Sequence, residues 1–350
     1  MQNLQVLKEL LISSPKRIVI TTHQKPDADA LGSSLALYNY LKKYNHHITV
    51  VTPTDYPKFI EWMPGNNCVV DFELSAESKA KAEKEIEQAE IIFFLDFSSW
   101  ERLKEVATAF QTAKGLKVLM DHHLDPTIKC DFELWNSKAA ATCELMYDFI
   151  CMMGDQHKID ISIGECIYAG IMTDTGSFRF PSTSKKIHTI IADLINIGVN
   201  NSKVHRLVYD NNSFDKLRFL GFVLSQKMHI IANFHTAYIA ISKEELDMFH
   251  SQTGDTEGLV NYALSIEGII FAAIIIERPD AVKLSFRSSG NFPVNEFSHT
   301  HFEGGGHKNA AGGISNLNYK QTLEKFLDLL PQYKDQLIKE YQPQTNLIPC

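Results

Sequence analysis

The chain has 350 residues, of which 44% are hydrophobic and 22% charged, and its formal net charge is -8. This is the composition of an ordinary soluble globular protein, and no apolar run is long enough to span a bilayer. The acidic balance argues against coating long nucleic acid, which needs clustered Lys and Arg, but it allows a small phosphorylated substrate. The length predicts two domains.

The cysteines indicate a reducing compartment. Six of them are spread along the chain without a Cys-x-x-Cys pair, and the N-terminus lacks the pattern of a secretory signal. We therefore expect free thiols, no structural zinc and a cytoplasmic protein. The sequence leaves the oligomeric state open, a homodimer included.

The first half of the chain alternates helical and strand-like segments, which predicts an α/β fold with a parallel sheet. Periodic apolar residues predict helices at 1–15, 30–44, 76–90 and 100–112. Continuous apolar or β-branched runs predict strands at 17–22, 48–51, 91–95 and 116–120.

The second half begins with helical patterns and then changes to strands. The helices are expected at 139–153, 160–173, 184–197, 201–210 and 213–227, and the strands at 237–241, 269–276 and 282–286. This change predicts a first domain over 1–212, a connecting helix over 213–228, a smaller α/β domain over 229–340 and a tail over 341–350.

Acidic and imidazole side chains stand where predicted strands or helices end. They lie in four loops, at His23, Asp27 and Asp29, at Asp96, at Asp121, His122 and His123, and at Asp174. Ligand groups in open α/β sheets gather at the carboxyl ends of the strands, so we expect these loops to converge.

Such a cluster predicts metal ions. Five carboxylates in one cleft cannot all stay ionised without compensation, and two divalent cations would supply it. Carboxylates and imidazoles without thiolates favour Mn²⁺, Mg²⁺ or Co²⁺. A pair of such ions can clamp the oxygens of an in-line phosphoryl displacement, which predicts a phosphoesterase.

Each of these loops also has a purely structural explanation. Asp96 precedes two serines and could act only as a turn former or helix N-cap. His122 and His123 could form a surface pair, and the loop from His23 to Asp29 could be an Asx-rich turn. These explanations weaken when the four loops are considered together.

The predicted second domain carries a glycine run, Gly304 to Gly306, followed by His307. Glycines free to adopt positive φ predict a nest of backbone N–H groups for an anion, with a simple tight turn as the alternative. Arg287, at the end of a predicted strand, and Arg179 are candidates for phosphate contacts, although either could be an ordinary surface residue.

Four segments resemble, in order and spacing, the four motifs of the DHH phosphoesterase superfamily: 23–33, Asp96, Asp121-His122-His123 and 173–176. Gly304-Gly305-Gly306-His307 resembles the signature of the DHH-associated C-terminal domain. The resemblance spans nearly the whole chain and is closest to the bifunctional oligoribonuclease and pAp phosphatase subgroup. The chain departs from it at Ala28, where many relatives have Gly.

The resemblance implies a Rossmann-like DHH domain, a smaller substrate-binding domain, and an active site in the cleft between them. It also implies roles for individual residues: His23 and Asp27 for one Mn²⁺, Asp29, His122 and Asp174 for a second, and Asp96 as the bridge. Asp121 would be an orienting acid, and His123 would contact the phosphate or protonate the leaving oxygen. The substrate would be gripped by Arg287, Gly305, Gly306 and His307.

The implied activity is hydrolysis of single-stranded oligonucleotides two to five residues long to mononucleotides, with removal of the 3′-phosphate of pAp as a second activity. A phosphodiesterase for pApA or cyclic di-AMP is the alternative. A RecJ-type exonuclease should carry more positive charge and longer additions. A silent nucleotide-binding module would need a broken ligand set, and every expected ligand is present.

Overall fold

The computed structural model describes residues 4–124 and 126–341, and the chain divides between Asn211 and Asn212 into two compact units. The segment 213–228, predicted as a connector, belongs to the second unit. Apart from Tyr341, the predicted tail lies outside the described residues.

The first unit is built on a parallel sheet. Its described strands are β1 (Arg17–Thr21), β2 (His47–Thr52), β3 (Val69–Asp71), β4 (Ile91–Leu95), β5 (Leu116–Asp121) and β6 (Phe132–Trp135). They lie in the order β3-β2-β1-β4-β5-β6, and every neighbouring pair is parallel. The chain moves one way from β1 and the other way from β4, so the crevice at a topological switch point opens between the carboxyl ends of these strands.

Helices cover both faces of this sheet. They are α1 (Leu4–Ser13), α2 (Ala28–Leu41), α3 (Ala76–Glu87), α4 (Ala107–Thr112), α5 (Thr142–Met152), α6 (Ile161–Asp174), α7 (Lys185–Ile197) and α8 (Asn201–Tyr209). All of β4 is buried, with Phe93 in the apolar core on one face and Phe94 in the core on the other. A strand covered on both sides explains the continuous apolar run that predicted it.

Two glycines let α2 and α6 pack closely. A Cβ on Gly32 would lie 2.7 Å from the Cys166 carbonyl oxygen, and one on Gly170 would lie 2.8 Å from Asp29 Oδ1 and 3.0 Å from Asp29 Cα. This contact ties the first turn of α2, which contains Asp29, to the helix that ends at Asp174.

The structure corrects two details of the predicted first unit. β3 and β6 were not predicted, because both are short and lack a clear apolar pattern. The single helix expected over 100–112 is a 3₁₀ stretch over 100–106 followed by α4, because Lys104 leaves the helical region with φ 52° and ψ -133°.

The second unit contains a mixed sheet in the order β11-β12-β10-β9-β8-β7, in which only β8 and β9 are parallel among the described pairs. Its described strands are β7 (Met228–Ile231), β8 (Thr236–Ile241), β9 (Phe271–Glu277), β10 (Val282–Ser288), β11 (Glu303–His307) and β12 (Ala310–Ser315). Its described helices are α9 (Phe214–Phe222), α10 (Lys243–Met248), α11 (Leu259–Leu264), α12 (Val294–His301), α13 (Tyr319–Leu329) and α14 (Lys334–Glu340). The predicted fold class, a parallel-sheet α/β domain with a smaller α/β domain, is confirmed.

The expected anion-binding nest at the glycine run is wrong. These glycines form the edge strand β11, in which Gly304 pairs with Gly313 of β12. A Cβ on Gly304 would lie 2.1 Å from the Gly312 carbonyl oxygen and 2.2 Å from Ser298 Oγ. The missing side chain therefore serves close strand packing here rather than a turn.

Within the described ranges, no helix is both long and apolar enough to cross a membrane. Five of the cysteines lie in the same ranges, and all five are free thiols.

Candidate metal and active site

The predicted acidic and imidazole residues of the first unit come together at the carboxyl edge of its sheet. Three sets of ligand atoms each lie within 4.8 Å of one another: His23, Asp27 and Asp96; Asp29, His122 and Asp174; and Asp96, Asp121 and His123. Asp96 is central, because its Oδ2 lies 3.4 Å from His23 Nε2 and its Oδ1 lies 3.5 Å from His122 Nε2.

Asp96 follows β4 directly, and one hydrogen bond from its backbone and one to its side chain hold it in place. Its N–H donates to the Met120 carbonyl at 3.0 Å, and its Oδ1 accepts a hydrogen bond from Thr142 Oγ1 at 2.8 Å. Its φ is 67°, a conformation that Asp adopts more readily than most residues but that still costs energy. The backbone thus turns this buried carboxylate towards the histidines.

Both histidines that face Asp96 are oriented by backbone carbonyls. His23 Nδ1 lies 2.7 Å from the Gln24 oxygen, and His122 Nδ1 lies 3.2 Å from the Ala139 oxygen. This arrangement turns Nε2 of each ring towards the carboxylates. Metal-binding histidines are oriented in the same way.

Asp27 and Asp29 are placed by helix N-termini. Asp27 Oδ1 caps α2 by accepting from the N–H groups of Asp29 and Ala30, both at 3.0 Å. Asp29 is fully buried and accepts from the N–H groups of Thr142, at 2.6 Å, and Cys143, at 2.8 Å, where α5 begins. The Asx turn considered for this loop is therefore present, and it belongs to the same cluster as the ligand candidates.

The carboxylates share an environment that is short of positive charge. Burial raises the pKa of Asp29, and the charges of Asp96 and Asp27 raise it further. Burial also acts to raise the pKa of Asp96, but the hydrogen bond from His23 and the charges of His123 and His122 hold it well below its usual range. Unequal pKa values are expected where like charges crowd together.

Two further observations fit divalent cations. Asp121 Oδ2 is buried and has no hydrogen-bond partner, which is unusual for a carboxylate oxygen. Burial and the neighbouring Asp29 raise the pKa of the Cys143 thiol well above its usual value, so this sulfur stays protonated. The donors are thus carboxylate oxygens and imidazole nitrogens, as hard or borderline divalent ions prefer.

Asp121 contacts His123 and not His122. Its Oδ1 lies 2.8 Å from His123 Nδ1, whereas the corresponding nitrogen of His122 faces the Ala139 carbonyl. Burial acts to lower the pKa of His123, but the contacts with Asp121 and Asp96 outweigh it and raise the pKa.

A left-handed turn follows Asp174. Gly176, Ser177 and Phe178 have φ values of 56°, 61° and 65°. Arg179 Nε donates to the Gly176 carbonyl at 2.7 Å, so this arginine stabilises the turn.

The candidate substrate-binding residues of the second unit lie on β10 and β11. Arg287 Nη1 donates to the Phe286 carbonyl at 3.0 Å. A Cβ on Gly305 would meet no heavy atom within 4 Å, Gly306 has a φ of 140°, and His307 ends β11.

Sequence reasoning missed three residues around this cluster. Thr142 donates hydrogen bonds to both Asp29 and Asp96. Its position at the start of a helix was the only feature of the sequence that could have pointed to it. Arg102 has a buried Nε without a hydrogen-bond partner, and its charge acts to lower the pKa of His123. Trp135 donates its indole N–H to the His123 carbonyl at 2.7 Å. Neither Arg102 nor Trp135 stands in a motif.

Comparisons with known proteins agree with this geometry. Residues 17–171 match the N-terminal domain of the DHH family, and residues 238–335 match the DHHA1 domain. The bifunctional oligoribonuclease and PAP phosphatase NrnA of Thermus thermophilus is 27% identical over 333 residues, or 93% of each chain. The protein of the same name from Bacillus subtilis is 26% identical, over 86% of this chain and 90% of that one.

A solved structure is also similar along its whole length. An exopolyphosphatase-related protein from Bacteroides fragilis has 35% identity and a TM-score of 0.90, with 97% of this chain and 98% of that chain covered. Carboxylates and imidazoles gathered at the carboxyl edge of a parallel sheet, in a chain with these similarities, identify a metal-dependent phosphoesterase. The chain belongs to the DHH family, with a DHHA1 domain after the DHH domain, as the motifs predicted.

Proposed function

We propose that this protein hydrolyses short single-stranded oligoribonucleotides to mononucleotides and removes the 3′-phosphate of pAp, with two divalent cations, most simply Mn²⁺. The observation that carries the proposal is the ligand set around Asp96. It occurs in a chain that aligns over 93% of its length with a protein named for these two activities.

One cation would be held by His23 and Asp27, and the other by Asp29, His122 and Asp174. Asp96 would contact both cations. This division is supported by two compact sets of ligand atoms, one from His23, Asp27 and Asp96 and one from Asp29, His122 and Asp174. The contacts of Asp96 with His23 and His122 support its shared role. The bound cations would supply Lewis acidity to the phosphoryl group and lower the pKa of a water molecule.

The chain's own residues hold the reacting groups in place. The N-terminus of α5 fixes Asp29, and the Thr142 hydroxyl fixes Asp96. Asp121 keeps a proton on His123 Nδ1, so that Nε2 of the same imidazole can donate a proton to the leaving oxygen.

We assign the remaining substrate contacts to Arg287, Gly305, Gly306, His307 and Arg179. A guanidinium can bind phosphate through two parallel hydrogen bonds, which suits both arginines. Arg179 already uses Nε within the turn after Asp174, so only its Nη groups would reach a phosphate. The open space at Gly305 would allow a close approach of substrate to the backbone.

The test is turnover of a labelled diribonucleotide and of pAp in Mn²⁺. Asp96→Asn should reduce both rates by at least about a thousandfold, because it removes a charge shared by both ions. The control Asp247→Asn, on an exposed position of α10, should keep both rates. Folded, Mn²⁺-loaded wild type that turns over neither substrate would contradict the proposal.

The alternative is a phosphodiesterase for pApA or cyclic di-AMP. Rates on pApA, cyclic di-AMP and pAp distinguish the two, with inorganic polyphosphate as a further control. A higher kcat/KM for cyclic di-AMP than for a linear diribonucleotide and pAp would favour the alternative. The free thiols suit a reducing compartment, and cytoplasmic location is part of our proposal.

A further inference from the structure

Trp135 lies beside the residue that we assign as proton donor. It ends the edge strand β6, in register with Asp121 of β5. Its indole N–H donates to the His123 carbonyl at 2.7 Å, and 42% of the residue is exposed to solvent. An aromatic ring is thus held against the backbone of the residue assigned as proton donor, while much of its surface meets water.

The contact with His123 satisfies the single polar atom of the indole. What remains exposed is therefore apolar ring surface, which gains free energy when another flat surface covers it. Because one hydrogen bond already restrains the ring, a ligand that stacks on it would lose little further side-chain entropy. Leu124, which follows His123 directly in the sequence, is also exposed.

We propose that Trp135 is a stacking platform for a nucleobase of the substrate. This inference rests on the proposed function and adds a base-binding site in the first unit. A base of the nucleotide whose phosphate lies at His123 would meet the indole that the carbonyl of this residue holds. Stacking on an aromatic side chain accepts every base, because each base has a π-face. The platform would therefore bind short oligonucleotides with little regard to sequence.

Two substitutions separate stacking from a structural role in holding His123. Trp135→Phe keeps an aromatic ring but loses the N–H donor, whereas Trp135→Gln keeps a donor but loses the ring. We expect Trp135→Phe to stay within a few-fold of wild type in KM for a diribonucleotide. Trp135→Gln should raise this KM roughly tenfold, with kcat little changed.

Fluorescence gives a readout that does not depend on turnover. The chain has three tryptophans, Trp62, Trp100 and Trp135. AMP added to the Mg²⁺-loaded protein should quench the emission, while ribose 5-phosphate, which has no base, should not. Trp135→Phe should abolish the quenching, and the control Trp62→Phe should retain it.

Quenching that persists in Trp135→Phe would overturn the proposal. An equal loss of kcat in Trp135→Phe and Trp135→Gln would also overturn it, because Trp135 would then only hold His123 in position. Failure of the proposed function is distinguishable, since wild type would then turn over neither the diribonucleotide nor pAp. Wild type that turns over the diribonucleotide while AMP leaves Trp135 emission unchanged would contradict stacking alone.

Discussion

Neighbouring side chains in the Asp121-His122-His123 triplet have different partners. His122 Nε2 lies 3.5 Å from Asp174 Oδ2 and 3.9 Å from Asp29 Oδ2, among the proposed ligands of one cation. His123 faces Asp121 instead. The motif predicted that all three residues belong to the site, but only the fold shows which carboxylate orients which imidazole.

Asp121→Asn should separate these roles. The amide keeps an oxygen acceptor but removes the negative charge beside His123, so we expect kcat to fall roughly 10²- to 10⁴-fold. KM should stay within a few-fold of wild type. An unchanged kcat would contradict the orienting role, and Asp247→Asn again serves as the control.

At the scale of elements, the close packing of α2 on α6 positions one wall of the site. We expect Gly170→Ala to destabilise the protein by about 1–3 kcal/mol, because the new methyl would overpack the core. The Cβ would lie 2.3 Å from Cys143 Sγ and 2.8 Å from Asp29 Oδ1, so Mn²⁺-dependent turnover should fall as well. Urea denaturation and kinetic assays measure the two effects.

Gly221→Ala in α9 is the matched control for this substitution. Its Cβ would meet no heavy atom within 4 Å, so only helix propensity changes. We expect a gain of about 0.5–1 kcal/mol and no change in turnover. Equal stabilities of Gly170→Ala and wild type would show that the α2–α6 contact can relax without cost.

A second element-level contact ties α2 to the segment after α5. Asp155 accepts hydrogen bonds from Tyr40, at 2.7 Å, and from Tyr44, and its Oδ1 lies 3.1 Å from Lys158 Nζ. Burial acts to raise the pKa of Asp155, but these partners outweigh it and lower the pKa. Ionised Asp155 therefore stabilises the folded protein fully above the unfolded-state pKa of about 4. This stabilisation is lost as the pH falls through the lower pKa that Asp155 has in the folded state.

Asp155→Asn should test this contact. At pH 7 we expect a loss of about 1–3 kcal/mol in the free energy of unfolding, because a charged acceptor is replaced by a neutral one. The difference from wild type should shrink as the pH is lowered below about 4. Denaturation at several pH values measures it, and a difference that stays constant with pH would contradict the argument.

For the whole molecule, we expect metal binding and stability to be coupled. Cations that bind the native carboxylate cluster but not the unfolded chain should raise Tm, by the equivalent of about 2.7 kcal/mol at a hundredfold excess over Kd. A chelator should reverse the shift, and Asp96→Asn should lose most of it. Calorimetry with and without Mn²⁺ measures the effect; an unchanged wild-type Tm would contradict a metal site in the folded protein.

Local sequence patterns were enough to predict the fold class and to supply the set of candidate ligands. The apolar runs that end at Asp96 and Asp121 are local patterns, and so is the spacing from His23 to Asp29. Local patterns can be read without knowing how the chain folds. The glycine run shows the limit of such patterns, because its conformation depended on the strand beside it.

The hydrogen-bond partners of the candidate ligands could not be predicted in this way, because they come from distant parts of the chain. Asp29 and Thr142 are 113 residues apart in the sequence, and Asp96 and Thr142 are 46 apart, yet both pairs are hydrogen-bonded. Trp135 reaches His123 because β6 lies beside β5. Contacts between distant segments depend on strand order and helix packing, which set the distances on which the chemistry of the site rests.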